Sequence, residues 1–221
     1  MAKGNTLQAE KKEWTRREVG DAAKRLFFQK GFIHTSIDEI AREARVSKGT
    51  IYLYFQSKDE LYLSLMLPAL QELGRLFQNL RDSVGAGRVR DGKALVLGFF
   101  EVFQNIYDYD PDGIRIIQAF QQGDLISKMT GETRGEINRL ASRNFDLARG
   151  VLSRAVRRKL IRKVNPVKMI DIFWATFVGI VQLEESKLRA TRKDHLRSTL
   201  KYAFLQMANL LNPDRSGPPR R

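Results

Sequence analysis

Three serines, Ser36, Ser47 and Ser57, divide the stretch around position 50 into short segments with defined starts. Ser36 is followed three residues on by Glu39, and Ser57 by Glu60. That spacing is a capping box. The serine hydroxyl accepts from the backbone N–H three residues ahead, and the glutamate reaches back to the serine's own N–H. Ser47 stands as an N-cap ahead of the run Lys48 to Phe55. The segment after Ser36 carries Ile37, Ile40, Ala41 and Ala44 on one helical face, and Arg45-Val46 then reads as a tight turn. Ile51 and Phe55 lie one turn apart on the next segment and should pack on the helices before it. Two short helices joined by a turn form a helix-turn-helix, whose second helix can enter a DNA major groove.

The rest of the chain keeps helical spacing and has no alternating strand pattern and no repeat. From Trp14 to Lys30, Val19, Ala22, Ala23, Leu26 and Phe27 line one face, with Gly31 as a C-cap. Residues 1–10 read as a mobile arm. A rod from Leu61 to Leu80 contains Pro68, which should kink it. Asp82 to Gly92 is a glycine-rich linker. Further helices are expected over Lys93–Tyr107, from Pro111, from Glu132 to Leu160, from Pro166, and from Asp194 to about Asn212. The expectation is an all-α fold of about nine helices. Residues 1–62 would be an arm and three-helix DNA-binding domain. Residues 63–212 would be a helical ligand-binding and dimerisation domain, and 213–221 a disordered tail.

Composition narrows the function. The chain has 221 residues and no cysteine, which excludes disulfides, zinc–thiolate sites and a cysteine nucleophile. The polar N-terminus has no signal-peptide h-region. The longest apolar stretch, Met169 to Leu183, includes Asp171, is short of the ~20 residues of a spanning helix, and reads as a core helix. No membrane role and a cytoplasmic location are therefore expected. The net charge of +14 favours a polyanionic partner, although most of it lies outside the first 60 residues. Histidine occurs only at His34 and His195, and no phosphate loop, H-E-x-x-H or G-x-S-x-G motif is present. No catalytic residue, metal or cofactor is expected.

On the second helix of the motif, 100° per residue sets Gly49, Tyr52, Leu53 and Gln56 opposite Ile51 and Phe55, with Lys48 and Tyr54 on the flanks. Gly49 permits close backbone approach to a duplex. The tyrosine hydroxyls suit phosphates, Lys48 a base edge or phosphate, and Leu53 a thymine methyl. The helix starts at Ser36 and Ser57 can each hold a phosphate, helped by Thr35 and Lys58.

The stretches Ala22-Ala23, Leu26-Phe27, Gly31-Phe32, Thr35 to Ala41, Val46 to Tyr52, Tyr54-Phe55 and Lys58 to Leu61 resemble the tetracycline-repressor (TetR) family of bacterial transcription regulators. The resemblance covers roughly residues 13–62. It implies a homodimer on operator DNA, released by a small-molecule effector, most simply as a repressor. It gives Thr35, Ser47, Lys48, Gly49, Tyr52, Tyr54 and Lys58 a DNA-contact role. Ser36, Thr50 and Leu53 complete the expected surface with Arg45, which stands where members often have Gly. A left-handed residue there costs on the order of 1 kcal/mol without Gly, and a phosphate contact could offset it.

In the second domain, Phe99, Phe103, Tyr107, Phe120, Trp174 and Phe177 form an aromatic set interspersed with Gln104, Gln118 and Asn144. An ordinary core explains the rings. The polar groups among them suggest a pocket for a mainly apolar or aromatic effector. The basic run Arg154, Arg157, Arg158, Lys159, Arg162, Lys163 reads as a solvated helix end, or as a landing site for an anionic ligand group. Leu196, Leu200, Phe204 and Met207, with Ala175 and Gly179 on the preceding helix, are expected at a dimer seam. The competing reading is a ligand-independent DNA-binding dimer with a plain scaffold.

Overall fold

A computed structural model describes residues 2–122 and 131–211, and the expected tail at 213–221 lies outside them. The described residues form helices with no strand: α1 Ala2–Lys30, α2 Ile37–Glu43, α3 Lys48–Tyr52, α4 Lys58–Ser64, α5 Leu67–Gly85, α6 Gly92–Tyr109, α7 Pro111–Gln122, α8 Gly131–Arg157, α9 Pro166–Thr191 and α10 Leu196–Leu211. The chain divides into two compact units. One is Met1–Pro68 with Asp112–Asn138, and the other is Ala69–Pro111 with Arg139–Arg221.

In the first unit α1 packs on α2 and α4, and α2 on α3. Val19, Ala22 and Ala23 of α1 meet Ile37, Ile40, Ile51, Phe55 and Leu61 in one core. Gly31 ends α1 at φ +87°, the left-handed conformation in which glycine avoids a Cβ clash. The residues expected to form a mobile arm are instead the start of α1. Leu7 to Lys12 are good helix formers and extend the helix back from Trp14.

The expected kinked rod is two helices. α4 stops at Leu65, whose N–H bonds back to Tyr62, and α5 begins at Leu67. Pro68 therefore sits in the first turn of α5, where a missing N–H costs nothing, and does not bend a continuous helix. The linker is also shorter than expected, because α5 continues to Gly85.

In the second unit α6 packs along α10, and α10 along α9. α6 buries Leu95, Phe99, Phe100, Phe103 and Ile106. α9 is long and apolar enough to cross a membrane by length and composition. Its inward face, Ile170, Phe173, Phe177 and Val181, is nevertheless core of this unit, and Glu184 continues that face.

Candidate nucleic-acid interface

The short reading segment is built by local hydrogen bonds. The Ser47 hydroxyl accepts from Thr50 N at 3.0 Å and lies 2.8 Å from the Thr50 hydroxyl. Ile51 is wholly buried and Phe55 nearly so, with Arg16 of α1 lying 5.7 Å over the Phe55 ring. That anchor turns the other side of the segment outward. Gly49 is exposed, Tyr52 is 47% exposed and Leu53 is 78% exposed. Tyr54 is half-buried, with its ring 6.4 Å from Phe55. A Cβ on Gly49 would meet only the Ser47 hydroxyl, at 3.6 Å, so the fold itself does not require glycine there.

Ahead of it, α2 starts as a complete capping box. Ser36 Oγ accepts from Glu39 N at 3.2 Å, and Glu39 Oε2 accepts from Ser36 N at 2.8 Å. Glu39 also accepts from Lys30 Nζ at 2.8 Å. That hydrogen bond first, and those from Ser36 next, hold its carboxyl at about 2. Arg45 closes α2 with φ +55°, and Val46 N reaches back to Ala41 O, so this turn holds a left-handed residue that is not glycine.

Two cations are already engaged within the head. Lys48 Nζ lies 3.0 Å from the Asp38 carboxylate, and that hydrogen bond raises its pKa above the ordinary value, so it stays charged. Lys58 Nζ donates to Thr35 O at 2.8 Å and stands 4.3 Å over the Phe32 ring. Thr35 is a correction. Its hydroxyl was expected to help hold a phosphate, yet it is buried and donates inward to the carbonyls of Leu26 and Gly31. It ties α1 to the α2 turn. Sequence reading also passed over Ile33, 84% exposed in that turn; an isoleucine outside any helical stripe was the available signal.

The remaining candidate residues fall less simply. Phe99, Phe103 and Phe177 are buried and pack ring on ring, with Phe103 stacked on Phe177 at 4.9 Å and Trp174 at its half-buried edge, 6.1 Å from Phe103. Gln104 Nε2 donates to Asp108 at 2.8 Å, and Tyr107 OH to Glu185 at 2.7 Å. Asn144 Nδ2 donates to Leu70 O at 2.8 Å, and its Oδ1 abuts Gly74 of α5. Gln118 and Phe120 belong to α7 in the first unit.

The dimer set needs correction. Leu196, Leu200 and Phe204 are core of their own chain, where Phe204 stacks on Phe173 at 5.4 Å, so they cannot face a partner. Met207 is half-buried, and only Ala175 and Gly179 are exposed. The apolar side chains that stay exposed on α9 and α10 are Val167, Ile172, Leu183, Leu188, Tyr202 and Leu210.

Residues 20–65 match the family model of the bacterial regulatory proteins of the tetR family. Over 46 residues the chain is 50% identical to the uncharacterized HTH-type transcriptional regulator YuxN of Bacillus subtilis, covering 21% of this chain and 16% of that one. Over 89 residues it is 33% identical to the HTH-type transcriptional regulator EthR of Mycolicibacterium smegmatis, covering 40% and 39%. The matches thus span between about a sixth and two fifths of the length of these relatives. Among solved structures, the transcriptional regulator FadR from Bacillus subtilis in complex with stearoyl-CoA superposes with a TM-score of 0.62 at 18% identity, covering 87% of this chain and 96% of that one. The TetR family regulator PfmR from Thermus thermophilus gives 0.63 at 19%, covering 87% and 95%. At that identity the likeness concerns the fold.

Proposed function

We propose that the chain, whose residues 20–65 match the family model of the bacterial regulatory proteins of the tetR family, acts as a dimeric, effector-responsive repressor of transcription. The observation that carries the DNA reading is the outward arc of Gly49, Tyr52 and Leu53 opposite the buried Ile51. An apolar side chain held 78% in water is unfavourable alone and gains from a thymine methyl. A single short reading segment binds weakly, so two heads on a two-fold half-site pair are the economical assembly. The exposed faces of α9 and α10 supply apolar surface for pairing. Such a protein works in the cytoplasm, beside the chromosome.

The stearoyl-CoA bound to the FadR neighbour supports an effector here. In this chain Trp174 stands half-buried at the edge of the aromatic cluster, and an apolar effector would enter by displacing it. Buried rings stacked on one another are also what an ordinary core contains, which supports the second reading, a DNA-binding dimer with a plain scaffold. Genomic fragments selected by the pure protein, then challenged with a metabolite panel, test both. Selection of one sequence class and its release by a compound are expected for the first reading; selection without release supports the second. Binding to no duplex at low ionic strength would end both.

A further inference from the structure

A surface cavity of about 580 Å³ opens in the second unit, away from the aromatic cluster. Its walls come from three places in the chain: the start of α6 (Arg90 to Lys93), the turn after α8 (Lys159, Leu160) and the last turns of α10 (Leu205 to Asn209). The walls are fastened to one another. A Cβ on Gly92 would stand 3.0 Å from Leu160 O and 3.1 Å from Ile161 Cγ2, so the α8 turn lies directly on the first residue of α6. Arg162 N donates to Leu211 O at 3.1 Å, which ties that turn to the end of α10. A cavity held this way exists before any ligand arrives.

Its charge is unbalanced. Arg90, Lys93 and Lys159 line it against the single carboxylate of Asp91, whose Oδ1 is occupied in accepting from Ala94 N at 2.7 Å. Among the described residues, none of the three cations has an ion pair or a side-chain hydrogen bond. Lys159 adopts φ +57°, a conformation that glycine holds at lower energy, so a lysine is kept there against its backbone preference. The rest of the lining is Leu160, Leu205 and Ala208 with the amides of Gln206 and Asn209. Two surplus positive charges suit a dianion better than a monocarboxylate, and arginine with lysine suits phosphate oxygens. The apolar wall and the two amides suit an organic group attached to it.

We propose that this cavity binds an organic phosphate, with the phosphate on Arg90, Lys93 and Lys159 and the organic part against Leu160 and Leu205. ADP is the probe, titrated calorimetrically into the full chain at low ionic strength without DNA, so that the result is independent of the DNA reading. Saturable binding of one ADP per chain is expected. Arg90→Gln and Lys159→Gln should each weaken it roughly tenfold, as loss of a charge-assisted hydrogen bond does. Lys159→Gly guards against misfolding, because it removes the charge and relieves the left-handed residue; it should melt higher than the parent and still bind ADP more weakly. Arg189→Gln with Lys193→Gln, an exposed basic pair outside the cavity, should leave ADP binding unchanged. Absence of saturable binding overturns the proposal. So does equal weakening by the outside pair, or an equal loss toward a random-sequence duplex, which would make the cluster a general polyanion surface.

Discussion

The guanidinium of Arg158 donates through Nη1 to the carbonyl of Val84, in the last turn of α5. Arg154, one turn earlier on α8, places its Nη1 3.4 Å from Arg81 O. Val84 O already accepts from Gly87 N at 3.3 Å, so the two guanidinium groups act as additional, charged donors at the negative end of the helix dipole. A Cβ at Gly85 would stand 2.6 Å from Arg154 Nη1, so a side chain there would push that guanidinium aside. The basic run expected to be a solvated helix end is thus partly a structural cap. Arg158→Ala should lower stability by about 1–2 kcal/mol, the range for a partly exposed hydrogen bond from a charged donor. Thermal unfolding checks it; an unchanged midpoint would mean that water replaces the guanidinium without loss.

Gly49 separates fold from function. Its Cβ position is open apart from the Ser47 hydroxyl, and alanine is the better helix former, so Gly49→Ala should hold or raise the melting temperature by the equivalent of up to about 1 kcal/mol. If the segment lies against a duplex, the added methyl should cost about tenfold in DNA affinity. Equal affinity for operator DNA, measured by anisotropy, would remove Gly49 from the interface.

Arg45 carries a φ of +55° on an exposed turn. Arg45→Gly should raise stability by roughly 1 kcal/mol through relief of the left-handed residue. It should also weaken DNA binding and make the slope of log affinity against log salt shallower by about one unit, the signature of one lost phosphate contact. An unchanged salt slope would confine Arg45 to the turn.

Glu60 is buried and occupied on both oxygens. Oε1 accepts from Thr133 Oγ1 at 2.6 Å, and Oε2 from Gln56 N at 2.6 Å. It therefore links the residues that follow α3 to the start of α8 within one unit. Thr133→Val removes one donor at similar volume and leaves a buried carboxylate oxygen unpaired, which should cost about 1–3 kcal/mol. A melting temperature equal to the parent's would show that the oxygen finds another donor.

Glu39 sets a pH dependence. Its carboxyl, ordinarily near 4.5, is held at about 2 by the hydrogen bond from Lys30 and then by those from Ser36. A depressed folded-state value contributes stability that is complete above the unfolded value and disappears as pH falls through the folded one. Glu39→Gln should therefore destabilise the head at pH 6, and the gap to the parent should close between about pH 4.5 and 2. A gap that stays constant across that window would assign the effect to packing.

How much of this was legible depended on distance along the chain. The capping box at Ser36, the N-cap at Ser57 and the glycine stop at Gly31 rest on atoms within five residues of one another, and reading them needs only local geometry. The return bond expected of Glu60 to Ser57 is not made, because its oxygens accept from Gln56 N and from the distant Thr133 instead. The outward arc of α3 followed from the period of the helix and the apolar identity of Ile51 and Phe55. Thr35 was misassigned because a threonine beside a helix start suits a phosphate or a neighbouring carbonyl equally well. Its real acceptors are at Leu26 and Gly31, beyond the turn.

The amino-acid order alone thus determined that the chain is helical, where its short helices begin, and which side of the reading segment faces out. Only the tertiary structure decided whether an apolar stripe is core or contact surface. Leu200 and Phe204 make a stripe that would serve either purpose, and the packing of α6 along α10 settles it by burying them within the chain. The reason is that a hydrophobic side chain lowers its free energy against any apolar neighbour. Periodicity therefore shows that a face must be covered, and only the arrival of another element shows by what.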